Sequence, residues 1–326
     1  MPNHPGLHIV FRSHGGDNHK DRPDFYSKLL GLASLVRAAD AVDPHPEILF
    51  VNDGPIPDDR LDLMHGHGEL IPIAGGSNRR SYRTSIALAA ARAASWPDDD
   101  VVWFAEDDYL YGVESLSQLQ AAAAALPHAD FLSLWGWDAL DPSSSRSEPR
   151  ARPELLSAGD PNALALSGVR WYRGLSTTST FGMRARVLRE DARLLRQIPF
   201  TGGAWDHATC YTVQGLQPYP WSEVRSESTP SGGGAEAGSG AGAGAGLRAW
   251  PRALARGVAL TALNLRSRRR PSRCRSFFAS DPEQIFHMEE PAEATGRDWP
   301  AFAEETRRWA LDRQIPVDTA RDRLRG

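Results

Sequence analysis

Three consecutive carboxylates, Glu106-Asp107-Asp108, follow the apolar run Val101-Val102-Trp103-Phe104-Ala105 and precede Tyr109-Leu110-Tyr111. Like charges this close repel one another unless something offsets them. A hard divalent cation does so through oxygen ligands; Mg²⁺ and Mn²⁺ take one or two carboxylates and fill the remaining positions with water and phosphate oxygens. The triplet therefore suits a bound diphosphate whose leaving-group charge the ion neutralises. The alternative is a solvated acidic turn. The end of an apolar strand and aromatic residues on both sides argue against it.

Other residues have chemistry to offer. Arg12, Arg79, Arg80 and Arg83 can bind phosphate oxygens bidentately, and Arg12 and Arg83 are the preferred pair. Asp53 lies in Asn52-Asp53-Gly54, which also reads as a turn former. Asp206 follows two glycines in Gly202-Gly203-Ala204-Trp205-Asp206-His207, where it could cap a helix running through Ala208 and Tyr211. His287 stands in Ile285-Phe286-His287-Met288-Glu289-Glu290; imidazole is an acceptable ligand for transition metals, and an isolated histidine equally fits a packing or surface role.

The elements that must position these groups alternate. Leu7–Phe11, Glu47–Val51, Leu70–Ile73 and Val101–Ala105 read as short buried strands, with helical spacing over Tyr26–Ala39 and Ser81–Ala94. Strand–helix alternation predicts an α/β fold, a mostly parallel central sheet flanked by helices, with ligands beyond the carboxyl ends of the strands. Arg12, Asp53 and the acidic triplet fall at those ends. Phe131–Trp137 and Thr177–Arg184 read as further strands, Ser143–Pro153 as a polar loop and Ala185–Leu195 as a helix, in a less regular second half.

Val102-Trp103-Phe104-Ala105-Glu106-Asp107-Asp108-Tyr109 resembles the metal motif of A-type, family-2-like glycosyltransferases. Phe50-Val51-Asn52-Asp53-Gly54 is similar to their early strand, and Gly75–Ala94 to the polar loop and alanine-rich helix before the metal strand. About the first 140 residues match in order and spacing. The resemblance implies metal-dependent transfer of a sugar from a nucleoside diphosphate sugar to an acceptor hydroxyl. It implies Asp108 as the Mn²⁺ or Mg²⁺ ligand, with His287 completing the coordination. Glu106 and Asp107 would sit near the ribose and the metal waters, and Asp53 at the base or ribose. Asp206 would be the base of an inverting reaction. A nucleotidyltransferase is the enzyme alternative, but Arg12-Ser13-His14-Gly15-Gly16 is a poor match to its glycine-rich loop and lysine is confined to Lys20 and Lys28. A non-catalytic nucleotide-sugar-binding protein would not explain the triplet.

The chain has 326 residues and a net charge of −4, which predicts no nucleic-acid binding. Cys210 and Cys274 match no disulfide or zinc pattern. With no signal-peptide pattern at Met1–Gly16 and no membrane-spanning stretch, the expected location is the cytoplasm. The organisation expected is a nucleotide-sugar half at 1–140, an acceptor-side half at 141–225, a mobile Gly/Ala-rich loop at 226–246 and a basic helical region at 247–326. In the last, Leu247, Trp250, Leu254 and Val258 share helical spacing, and Pro251 is expected in a first turn. Its arginines, concentrated between Arg248 and Arg275, would suit either a solvated surface or peripheral contact with anionic lipid.

Overall fold

The computed structural model describes residues 4–16, 22–135, 139–140, 150–151, 163–201, 205–228, 245–289, 297–315 and 317, with side chains left aside at 150–151, 226–228, 245–254 and 271. Four strands, β1 (Leu7–His14), β2 (Glu47–Asp53), β3 (Glu69–Ile73) and β4 (Val101–Glu106), form a parallel set in the order β3-β2-β1-β4. Successive side chains on these strands point to opposite faces. Leu7, Ile9 and Phe11 therefore enter one core with Ile48, Phe50, Val101 and Trp103. Val10 enters the other with Leu49, Val51, Val102 and Phe104. Burial on both faces is why these strands read as continuous apolar runs rather than as alternation.

Helices cover each face. α1 (Lys28–Asp40) and α4 (Ser115–Ala125) supply Leu29, Leu30, Leu116 and Leu119 to the first core. α3 (Asn78–Arg92) supplies Tyr82, Ile86 and Ala89 to the second, where the helix Ala185–Leu195 adds Val187 and Leu188. The short α2 (Asp58–His65) joins β2 to β3. Serine side chains start the two helices nearest the site: Ser27 Oγ accepts from Leu30 N at 3.2 Å and Ser77 Oγ from Arg80 N at 3.4 Å.

Beyond β4 the sheet becomes mixed. After β5 (Tyr109–Tyr111), the strands are β6 (Phe131–Ser133), β7 (Ala139–Leu140), β8 (Arg150–Ala151), β9 (Leu164–Leu166), β10 (Val169–Arg173), β11 (Phe181–Arg184), β12 (Phe277–Asp281) and β13 (Ile285–His287). The large sheet continues from β4 as β11-β6-β12-β10-β9, with β11 antiparallel to β4 and to β6 and β12 parallel to β6. Among the described residues this is the expected α/β architecture, a nine-stranded central sheet flanked by helices, parallel over β3-β2-β1-β4 and mixed beyond.

Several expectations shift. The strand expected at Thr177–Arg184 is confined to β11; ahead of it, Thr177 Oγ1 meets Ser133 Oγ at 2.8 Å and donates to Trp135 O at 3.1 Å. Of the strand expected at Phe131–Trp137, only β6 forms; residues 136–137 lie outside the described residues, as do most of Ser143–Pro153 and 229–244 of the Gly/Ala-rich loop. The ends of that loop region are helical, in Trp221–Ser228 and Ala245–Arg266. Pro251 lies past the first turn of the latter helix, so the helix forgoes one backbone hydrogen bond there.

Candidate functional site

The carboxyl ends of β1, β2 and β4 meet the start of α3 and the Trp205–Gln214 helix around a cleft of about 710 Å³. Arg12, Asp53, Glu106, Asp107, Asp108, Asp206 and His287 all line it. The three acidic residues of the triplet have different surroundings. Glu106 is bonded to the Arg12 guanidinium, which also donates to Asn78 Oδ1 at 2.6 Å. Burial pushes the Arg12 guanidinium below its usual range against the pull of Asp107, Asp108 and Asp53.

Asp107 points away from solvent. Its Oδ2 accepts from Ser13 Oγ at 3.0 Å and His14 N at 2.9 Å, with Lys28 Nζ at 3.2 Å and Arg60 Nη1 at 3.5 Å. Lys28 and Arg60 also donate to the carbonyls of His14, Gly15 and Gly16, so one buried carboxylate and two cations fix the loop after β1. α1 approaches this turn closely at Gly31, where a Cβ would stand 2.8 Å from the Tyr109 carbonyl oxygen.

Asp108 is the one with capacity left. Its Oδ1 is buried and has no hydrogen-bond partner. Its Oδ2 lies 3.6 Å from His287 Nε2, which in turn is 3.7 Å from Glu289 Oε2. One ligand atom from each of Asp108, His287 and Glu289 falls within 4.8 Å of the others. Burial opposes charge on Asp108, but contact with His287, followed by the fields of Arg22 and Lys28, outweighs it and holds the carboxyl below its ordinary range.

The fold explains how residues so far apart in the chain meet. β13 pairs antiparallel with β5, placing His287 opposite Tyr109, and Met288 N donates to Asp108 O at 2.9 Å. The imidazole stacks on the Tyr109 ring with centroids 4.6 Å apart, and the Tyr109 hydroxyl donates to Thr178 Oγ1 at 2.6 Å. Arg22 closes the arrangement, 3.2 Å from Glu289 Oε1 and donating to Met288 O at 3.3 Å.

Asp53 holds the cleft's rim. Its Oδ1 accepts from Gly75 N at 2.8 Å and Gly76 N at 3.1 Å. A Cβ at residue 75 would stand 2.4 Å from Asp53 Oδ2, and Gly76 has a φ of +65°, so this turn requires both glycines. Across the cleft, Asp206 lies within the first turn of its helix rather than at the cap, and its Oδ1 accepts from His207 N at 2.9 Å. Gly202, Gly203 and Ala204 lie outside the described residues. Trp205 packs edge-on against Tyr82, 4.4 Å between centroids.

Arg83 is not brought to the cleft. Its Nε donates to Arg196 O at 2.8 Å and its guanidinium lies over the Phe200 ring at 4.4 Å. Conversely, Lys28, Arg22 and Glu289 line the cleft although the motif reading did not select them. Glu289 stands two residues after the candidate ligand histidine, and the turn just past β13 brings it to the same side. Lys28 and Arg22 had no signal in the sequence, since only the packing of α1 and the β13 segment brings them in.

No family model and no curated protein matches the chain. Solved structures do. S. aureus TarS 1–349 in complex with UDP-GlcNAc aligns over 64% of this chain and 53% of that one, at 13% identity and a TM-score of 0.37. Mouse xyloside xylosyltransferase 1 in its apo form aligns over 65% and 82%, at 10% identity and 0.35. 4-diphosphocytidyl-2C-methyl-D-erythritol synthase aligns over 65% and 87%, at 12% identity and 0.34. The chain spans only 33% of the longer TarS structure it matches. Likeness at these identities concerns fold alone, and at these scores the site must be argued from its own residues.

Proposed function

We propose that the chain transfers a sugar from a nucleoside diphosphate sugar to an acceptor hydroxyl, with a divalent cation held by Asp108, His287 and Glu289. The observation that carries this is the buried, unpartnered Asp108 Oδ1 beside two further ligand groups on the cleft wall. One imidazole with two carboxylates suits a first-row ion such as Mn²⁺ better than Mg²⁺, which favours an all-oxygen shell. When bound, the ion would neutralise charge on the diphosphate leaving group.

The protein's own groups supply the rest. Arg12, oriented by Glu106 and Asn78, and Lys28 provide positive charge on the diphosphate side. Asp53 shapes the Gly75-Gly76 rim against the nucleoside, within a donor half formed by residues 1–140. Asp206 takes the proton from the acceptor hydroxyl as that oxygen attacks the anomeric carbon from the face opposite the leaving group, inverting the centre.

Calorimetry with UDP, GDP and their sugars, with and without Mn²⁺, tests the reading. The expected result is binding of one nucleotide class that Mn²⁺ strengthens at least about tenfold. Absence of binding by every nucleotide, with or without the ion, would remove it.

A further inference from the structure

A second cleft, about 980 Å³, lies between the Ala185–Leu195 helix and the segment following the Ala245–Arg266 helix, and seven arginines line it against two acids, Glu190 and Asp191. The acids are already committed. Asp191 receives Arg269 Nη2 and Arg275 Nε, both at 2.8 Å, and Glu190 receives Arg275 Nη2 at 2.5 Å. Arg266 is bonded to Gln197. That leaves Arg193, Arg268, Arg270 and Arg273 exposed, with no acidic partner among the described residues. This local positive surplus stands in a chain whose net charge is −4.

The surplus adjoins an apolar face. On the Ala245–Arg266 helix, Ala255, Val258, Ala262 and Leu265 are exposed, and their three- and four-residue spacing places them in one stripe. Val258 is 68% and Leu265 55% exposed. The opposite face is fixed in the protein. Leu263 packs with Ile198 and Ala208, and Asn264 clamps the backbone of Tyr219, accepting from its N at 3.1 Å and donating to its O at 2.8 Å. The stripe ends at Arg266, on the lip of the arginine cleft.

We infer that this face docks on an anionic lipid surface, with Val258 and Leu265 entering the headgroup boundary and Arg193, Arg268, Arg270 and Arg273 meeting lipid phosphates. An apolar stripe edged by cations has the chemistry of an interfacial contact. Nucleic acid would use the arginines and leave the stripe idle. A second copy of the chain would need an interface on the order of 1,200 Å², beyond what two large side chains and two alanines supply. Among the described residues no helix is long and apolar enough to cross a membrane, so the contact is peripheral. The inference uses none of the residues assigned to sugar transfer and stands apart from that reading.

Co-sedimentation of the full chain tests it, using vesicles roughly one-third phosphatidylglycerol in phosphatidylcholine against pure phosphatidylcholine at about 0.1 M salt. The expected result is binding to the anionic vesicles alone, weakening as salt rises. Combined Arg268→Glu, Arg270→Glu and Arg273→Glu should lower the partition coefficient at least about tenfold. Val258→Gln with Leu265→Gln should lower it severalfold while leaving its salt dependence in place. All five positions are exposed, and the salt response of the unaltered protein tests the charge term without any variant. Equal binding to both vesicle types, or binding to neither, overturns the inference. So does a stripe variant that binds as the parent does, or arginines that take up single-stranded RNA while vesicles stay unbound.

Discussion

The two clefts are built from opposite arrangements of charge. In the cleft at the strand ends, nearly every charge has a designated partner: Arg12 with Glu106, Lys28 and Arg60 with Asp107, Arg22 with Glu289. Among the described carboxylates of that cleft, one buried oxygen has no hydrogen-bond partner, Asp108 Oδ1. In the arginine cleft the acids are saturated and the surplus is spread over exposed, mobile-length side chains. A largely neutralised frame with an unmet carboxylate oxygen selects a small, geometrically defined ligand. Diffuse surplus charge favours a broad surface and is weakened by salt. The two clefts are therefore separable by substitution.

Breaking the first cleft should have the largest effect. Asp108→Asn is expected to lower Mn²⁺ affinity by about a hundredfold or more, and metal-dependent nucleotide binding with it, as read by calorimetry. Thermal stability without metal should hold or fall slightly, because His287, Arg22 and Lys28 together favour the charge that is removed. Retained Mn²⁺ binding would place the ion elsewhere. Next comes Asp206→Asn, which keeps shape and polarity but has no useful basicity. Turnover should fall by about a hundredfold or more with nucleotide affinity unchanged. Because Asp206 sits inside the first turn, Asp206→Ala should cost only about 0.3–1 kcal/mol through lost interaction with the helix dipole. Near-normal turnover in the asparagine variant would leave the inverting chemistry without a base. Glu289→Gln should be milder, about tenfold in Mn²⁺ affinity, since the amide oxygen remains a weaker ligand. An unchanged affinity would leave Glu289 as Arg22's counter-ion alone.

Which parts were legible in the sequence follows from how local their causes are. β1, β2 and β4 were readable because burial on both faces makes unbroken apolar runs, and Ala185–Leu195 because its apolar residues repeat at helical spacing. The triplet's position at the end of β4 followed from the run before it. What differs among its three carboxylates did not. Asp107 turns inward because Ser13, Lys28 and Arg60 converge on it from three elements, a tertiary fact with no sequence period. β12, inserted between β6 and β10, escaped notice because it follows a basic stretch, and its neighbours in the sheet are more than a hundred residues away in the chain. His287 was selected by residue type; the pairing of β13 with β5 is what carries it to Asp108.

The smallest expected effect sharpens the boundary between the clefts. Arg83 was selected with Arg12 as a phosphate ligand, yet its Nε donates to Arg196 O and its guanidinium lies over Phe200. Arg196 is next to Gln197, which lines the arginine cleft, so Arg83 ties α3 to that flank of the protein. Its carbonyl hydrogen bond is exposed, and an exposed cation–π contact contributes about 0.5–1 kcal/mol. Arg83→Ala should therefore lower stability by roughly that amount, measurable by thermal melting. Nucleotide affinity should stay within about twofold, far below the tenfold that a lost charged hydrogen bond to phosphate would cost. A tenfold loss of affinity would require Arg83 to leave Arg196 and Phe200 on binding. The Ile198–Thr201 turn that carries Phe200 would then have to move with the donor, and the two clefts would be coupled through it.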